Sequence, residues 1–592
     1  MKAREGQGLK GLIGVVSFIE NQRDVLAGLG QLTVTLAQFL ANGFEFGGIV
    51  DIARINLVKE GDVEIGADEH PQIDLPQVGP LLFVMTPGWE GILGCGMARE
   101  LCLAPAFAAD TPDTLDFGPQ EPLVRFMQET PANKLLPGLA DKLKSGADLR
   151  QLVAAAALAN ARTFGGEDYV GFHTMMALAP SLHMAGELPD GLQPLPVFKV
   201  LYRNTNRIQE IGGRKAEVLH PVTPAVLAPG RSGAEAVREA VHRKDAEEAE
   251  RDFAALAQLG ASDALNGLLY TVQDNTEVHR VVLPYRAWDL LDLIGKDHAH
   301  TLLRQSVRYC VKAESWSQTD KSDEPRKLLP KILEEHKLLE RATGVRAAED
   351  NWVDQLSQTI FSSTPEQAAD AAATALAEGF SPSAVGEAIA LAANQLILRD
   401  MGRPPREEVI GKPPGSVHGD SIGVHACDSA CAWRNLARVS NARNTFACLI
   451  LGAYQVALDR TWRGGDFLHW TPLPLQHHVD LIKTTEADAL LNEADDAIRQ
   501  NLQAHAAAVV HRYGALGHAP RPVFDLLLRY AVSEDGALHA EKYYRTVTEE
   551  FSATRPAFRW RQLVALARVT ASEYGRPAAG MEEAREVLKV NG

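Results

Sequence analysis

Val424-His425-Ala-Cys427-Asp428-Ser-Ala-Cys431-Ala-Trp433-Arg-Asn435 opens on an apolar residue and a histidine, and it decides the fold because the chain echoes it three more times. Phe172-His173, Val278-His279 and Leu538-His539 open comparable segments. Ahead of each stands a glycine turn leading into another helix: Gly146-Ala-Asp-Leu149, Gly260-Ala-Ser-Asp263, Gly379-Phe-Ser-Pro382 and Gly517-His-Ala-Pro520. Ser381 followed by Pro382 is the clearest of these starts, a hydroxyl N-cap with proline at the first helical position, where its missing N–H is not needed. Ten residues after each histidine, almost three helical turns along the same face, comes a polar side chain: His183, Asp289, Asn435 and Glu549. A fourfold echo of this kind predicts an array of helical units.

Working outward, apolar residues recur at three- and four-residue spacing from about Leu115 onward, with almost no alternating Val/Ile/Thr runs, so the body is expected to be all-α. Ala287-Trp288 matches Ala432-Trp433, and Ser440-Asn-Ala-Arg-Asn-Thr-Phe446 resembles Ser552-Ala-Thr-Arg-Pro-Ala-Phe558. Pro194-Leu-Pro196 follows the first unit as Pro472-Leu-Pro474 follows the third. These matches predict two similar halves of two helical repeat units each. The expected division is an irregular N-terminal segment over 1–110, a first helical half over 111–335 and a second over 336–592. The junction falls in the charged stretch Asp320 to Asp350, while His242 to Asp252 reads as a solvated helical face.

The chain has 592 residues, 46% of them hydrophobic, with 59 Lys and Arg against 76 Asp and Glu and a formal net charge of -17. That is ample length for more than one core, and the wrong sign for a phosphate-backbone binder, so no nucleic-acid partner is expected. The longest apolar runs, Leu152 to Leu158 and Ala388 to Ala393, fall far short of the ~20 residues that cross a bilayer, and no membrane span is expected. Cys95, Cys102, Cys310, Cys427, Cys431 and Cys448 show neither a disulfide framework nor a Cys-x-x-Cys pair. As written the sequence reads as cytoplasmic. The alternative is a periplasmic or secreted protein whose true start lies upstream of a small-x-small cleavage site in Leu103-Ala-Pro-Ala-Phe-Ala-Ala-Asp110, near Ala109.

Val424 to Asn435, together with Gly165-Gly-Glu-Asp-Tyr-Val-Gly-Phe-His173, resembles a family of largely uncharacterised bacterial helical proteins, some attached to Rieske-type iron–sulfur domains. The resemblance covers roughly residues 115 to 592 and implies an all-helical repeat fold and a redox setting, with no catalytic residues to carry over. This chain has no Cys-x-His and Cys-x-x-His pair to hold a Rieske cluster, so an iron–sulfur partner would be another chain.

The candidate metal ligands are His173, His183, His279, His425 and His539, with Asp289, His418 and Asp428 near the same helix starts. Imidazole is the commonest protein ligand for zinc and iron, and two pseudo-symmetric halves would set His173 against His425 and His279 against His539. Equally, each histidine can donate to a nearby backbone carbonyl and do no more than fix a helix entry. His418 to His425 belongs to an insertion with Gly411-Lys-Pro-Pro-Gly415 before it, either a functional loop or a surface excursion. Cys427 and Cys431 are thiolate ligands or, more simply, small packed side chains. His477-His478 lack a counterpart in the first half and read as peripheral. Gly6-Gln-Gly-Leu-Lys-Gly11 has no strand before it, Gly212-Gly213 reads as a helix cap, and there is no Walker loop, Gly-x-Ser-x-Gly elbow or His-Glu-x-x-His helix. Two functions follow. One is metal-assisted oxidation or hydrolysis of a small molecule at a histidine-rich site between the halves, with a divalent metal, zinc or iron. The other is a non-catalytic interaction module serving an electron-transfer protein.

Overall fold

The structure, a computed structural model, describes residues 114–316, 324–409, 412–419, 421–461 and 465–590, all within one compact unit, Asp113–Gly592. The expectations for 1–110, for Gly6 to Gly11 and for a cleavage site near Ala109, with Cys95 and Cys102, lie outside the described residues. Within them the chain is all-α, with 23 α-helices and, in place of strands, three isolated bridges such as Arg346 to Phe380. Among the described residues no helix is long and apolar enough to cross a membrane.

Twenty of the helices fall into four runs of five. The first run is α1 (Glu121–Glu129), α2 (Ala132–Lys144), α3 (Leu149–Phe164), α4 (Tyr169–Ala185) and α5 (Pro194–Glu210). The second is α6 (Gly233–His242), α7 (Ala246–Ala257), α8 (Ala261–Val272), α9 (Val278–Ile294) and α10 (Ala299–Ala313). After α11 (Glu324–Glu335) come α12 (Asp350–Ser362), α13 (Pro365–Ala377), α14 (Pro382–Arg399), α15 (Ile422–Val439) and α16 (Ala442–Asp459). After the short α17 (Gln476–Leu481) come α18 (Ala487–Arg499), α19 (Gln503–Ala515), α20 (Arg521–Ser533), α21 (His539–Ala553) and α22 (Trp560–Glu573), and α23 (Met581–Leu588) ends the chain.

The fourth helix of each run is central. α4 packs on α9, α9 on α15, α15 on α21 and α21 back on α4, closing a four-helix ring. Each ring helix is flanked by the helix before it and the helix after it. Such a helix must be buried on nearly every side, and α4 is: from Gly171 to Ala185 only Leu182 and His183 are not buried. The glycine turns that precede α3, α8, α14 and α20 all take left-handed backbone, with φ of 99° at Gly146, 125° at Gly260, 84° at Gly379 and 81° at Gly517. A side chain at these positions would strain the turn.

Three ring helices begin on a side-chain cap. Asp168 accepts from Gly171 N, Glu277 from Arg280 N and Ser421 from Val424 N. α21 starts instead from two left-handed residues, Ala537 and Leu538. The ring closes between the first and last runs through a polar seam. Lys199 Nζ, on α5, donates to Ala531 O at 2.8 Å and Glu534 O at 2.7 Å and pairs with buried Glu541 at 2.6 Å. Glu187, just past α4, accepts from Arg521 at 2.6 Å and from Tyr544 Oη at 2.8 Å.

Candidate functional site

Because the four ring helices run from histidine to polar side chain in the same sense, their first turns bring His173, His279, His425 and His539 together. The contact is not the one expected from two halves. His173 Nε2 meets His279 Nε2 at 3.2 Å, and His425 Nε2 meets His539 Nε2 at 3.1 Å. The anticipated partners, His173 with His425 and His279 with His539, stand on helices that do not adjoin. The reason is the order of the ring: sequential runs are neighbours in space, which leaves the histidines of alternate runs diagonal. The two pairs also face each other, with ring centres 5.2 Å apart for His173 and His539 and 5.8 Å for His279 and His425.

The other ring nitrogens fix the protons. His173 Nδ1 lies 2.7 Å from Tyr169 O and His539 Nδ1 lies 3.1 Å from Ala537 O. A carbonyl only accepts, so both Nδ1 atoms carry the hydrogen and both Nε2 atoms present a lone pair. His279 Nδ1 donates in the same way to Glu277 Oε1 at 2.6 Å, and Glu277 Oε2 takes the Tyr309 hydroxyl at 2.7 Å. Local backbone bonding and convergence, opposed at the level of sequence, thus occur together.

Between His173 and His279 two lone pairs 3.2 Å apart repel unless a proton or a cation lies between them. Burial opposes the proton: desolvation, then the Lys542 charge, holds His173 and His539 well below the usual histidine range. Nitrogens bound at about 2.0–2.1 Å to one ion, with an angle of roughly 100° between them, are about 3.1–3.2 Å apart, so each pair has the bite of two ligands on one metal. Among the described residues no set of three or more His, Cys, Asp or Glu side chains is gathered tightly enough to hold an ion as it stands, so the fit is pairwise.

The other candidates lie elsewhere. Asp428 and Lys542, each three residues on from its histidine and both buried, occupy the next layer down the ring. Asp428 accepts from Thr546 Oγ1 at 2.8 Å, and its pKa is raised by burial against the pull of Lys542 and Arg286. Burial brings the Lys542 ammonium down to about 8, against the pull of Asp428. His418 is buried on the loop before α15, 3.9 Å from Glu573, while the adjacent Gly419 donates to Glu573 at 2.8 Å. A Cβ on Gly419 would come within 2.3 Å of His539 Cβ, so only glycine lets this loop lie on the quartet. Cys427 and Cys431 are buried with thiols pushed up by desolvation, and Cys431 donates to Glu549 at 3.1 Å, which suits packing and not thiolate ligation.

The ten-residue register holds, and it carries His183 and Asp289 away from the quartet. At 1.5 Å per residue they lie about 15 Å along the ring helices. There His183 Nε2 pairs with Asp289 at 3.2 Å, and Asp289, Asn435 and Glu549 line a cleft of about 880 Å³. Glu549 accepts from Tyr285 Oη at 2.5 Å and pairs with Arg545 at 2.9 Å. Buried Arg286 stands between Asp289 and Glu549, at 3.5 and 3.6 Å.

Sequence reasoning missed Glu277, Tyr309, Lys542 and Arg286. Glu277 was within reach, since a carboxylate two residues before a repeat histidine can both cap the helix and hold the imidazole. Lys542 was marked only by falling one turn after His539 at the position where α15 has Asp428. No protein-family model matches the chain, and no curated protein or solved structure matches it.

Proposed function

We propose that His173, His279, His425 and His539 bind one divalent transition metal, zinc or iron, and that the protein uses it for metal-assisted oxidation or hydrolysis of a small molecule. One observation carries this reading: three of the four imidazoles spend their Nδ1 hydrogen on an oxygen acceptor, which turns unprotonated Nε2 atoms toward a common point. The Glu277 carboxylate behind His279 is the arrangement that orients a metal-bound imidazole and raises its basicity. A shell of imidazoles suits zinc, iron, copper or nickel better than magnesium or calcium. Drawing the two pairs onto one ion requires a small inward movement of the first turns. In the same reading the four five-helix runs are copies of one unit, supported by the matching left-handed glycines and the matching histidines.

Elemental analysis of the purified full chain tests it. Near-stoichiometric zinc or iron, lost in both His173→Ala and His425→Ala while the far-ultraviolet circular dichroism stays unchanged, is the expected result. A metal-free chain that takes up neither ion on dialysis removes the reading and leaves the interaction module.

A further inference from the structure

A line of aromatic rings runs from the surface to the quartet. Trp316, just past α10, is 57% exposed, and its ring meets that of Tyr309 edge-on with centres 6.1 Å apart. Tyr309, on α10, is only 2% exposed and stands edge-on to Phe172 at 5.3 Å. Phe172 lies 4.9 Å from the His173 ring and 5.0 Å from that of His279. We propose that Tyr309 is a redox-active tyrosine, which gives one electron through Trp316 to a one-electron oxidant in solution while its hydroxyl proton passes to Glu277.

A phenol that has lost an electron is a very strong acid, so its oxidation is favoured where a base already holds the hydrogen. Tyr309 Oη donates to Glu277 Oε2 at 2.7 Å, within the reach that proton transfer requires. The carboxylate is fixed before the electron moves, because Oε2 also accepts from Arg280 N at 3.0 Å and Oε1 from His279 Nδ1 at 2.6 Å. The Glu277 side chain is 38% exposed, which gives the proton a way on to water. The Tyr309 ring, by contrast, is shielded from solvent, which protects the oxidised form from reductants that would otherwise reach it.

Positioning of Glu277 alone would account for the Tyr309 hydroxyl but not for the exposed indole against its ring. The charge around that indole also sets the direction. The Lys312 ammonium lies 5.9 Å from the centre of the Trp316 ring and disfavours a cation there, whereas Tyr309 sheds its proton and ends neutral. The balance is one electron and one proton. Trp316 loses an electron to the oxidant, which is reduced by one. Tyr309 then refills Trp316, and its O–H bond breaks as the proton moves to Glu277 Oε2 along the existing hydrogen bond. The products are a Tyr309 phenoxyl radical, protonated Glu277 and the reduced oxidant. One electron from a reductant such as ascorbate, with the proton returned from Glu277, restores the phenol. No metal takes part, so the step holds whether or not the quartet binds one.

The test uses the full chain, treated with chelator, and ruthenium(III) tris-bipyridine generated by a light flash as the oxidant. Samples frozen after the flash are read by electron paramagnetic resonance. A tyrosyl signal should form, fall at least fivefold in Tyr309→Phe and in Glu277→Gln, and fall at least threefold in Trp316→Phe. Tyr169→Phe, at a tyrosine 63% exposed, should leave it unchanged. Should Tyr309→Phe not fold, Glu277→Gln reads the same step, since the amide keeps an acceptor for the hydroxyl and removes the base. Absence of a tyrosyl signal, a signal that survives Tyr309→Phe or Glu277→Gln, or a yield indifferent to Trp316→Phe would each overturn the proposal.

Discussion

The two ends of the four-helix ring solve opposite problems with the same four helices. At the histidine end three imidazoles are held through Nδ1 by two backbone carbonyls and one carboxylate, and the four Nε2 atoms meet in pairs. At the cleft end the carboxylates dominate and each has a basic neighbour. The difference teaches that one set of four helices can carry different chemistry at its two ends. One end turns imidazole nitrogens toward one another, whereas the other pairs its carboxylates with basic neighbours.

The comparison breaks most visibly at the cleft end. Arg434 and Glu550 are 5% and 4% exposed, and Arg434→Met leaves a carboxylate buried without its partner. The expected loss is about 3–5 kcal/mol in urea unfolding, with metal content untouched. A loss under about 1 kcal/mol would mean that the cleft-end charges are not spent on each other as described.

At the other end, His425→Ala should cost stability little and metal affinity a great deal, on the order of 100-fold or about 2.7 kcal/mol, measured by competition with a chromophoric chelator. If it instead unfolds the chain and leaves metal affinity intact, the ends have been assigned the wrong way round.

Acid sharpens the contrast further. His173 and His539 have folded pKa values depressed below 6.5 by burial and by the Lys542 charge, so the stability they contribute is complete above pH 6.5. It is lost as pH falls, because the unfolded chain takes up protons that the folded state refuses. In chelator-treated protein each contributes a slope approaching about 1.4 kcal/mol per pH unit below 6.5. His539→Gln should reduce that slope, read from urea midpoints between pH 6.5 and 5. Glu550 works in the other direction: burial raises its carboxyl, so the folded state gains relative stability as that group protonates.

The smallest effect belongs to a cap. Ser421 Oγ accepts from Val424 N at a long 3.4 Å, and Ser421→Ala should cost about 0.5–1 kcal/mol, visible as a small drop in thermal midpoint with metal content unchanged.

Much of this was legible before any coordinates. The helices followed from three- and four-residue apolar spacing, the turns from glycine and the histidine register from a repeated dipeptide, all of which are local patterns. What was not legible is whatever depends on one helix meeting another. The spacing that placed His183 and Asp289 ten residues from their histidines could not say that ten residues on a straight helix is a different site. Arg434 with Glu550, and Asp428 with Thr546, pair across helices more than a hundred residues apart in the chain, with no period to announce them. The expected pairing of histidines differs from the observed one for a related reason: matching spacing in the sequence picks out the residues, whereas the order in which helices close a ring decides which are adjacent.

The seam has its own consequence for how the chain is made. Lys199 waits for carbonyls 332 and 335 residues further on, and Glu187 for a hydroxyl 357 residues away. At about 5–20 residues per second of synthesis, α4 and α5 stand without their α20 and α21 partners for roughly 20–70 s. The first three runs can pack in order as they emerge, because each touches the one before it. The last contact cannot, so through that interval the nascent protein is an open arc with a sticky edge at each end.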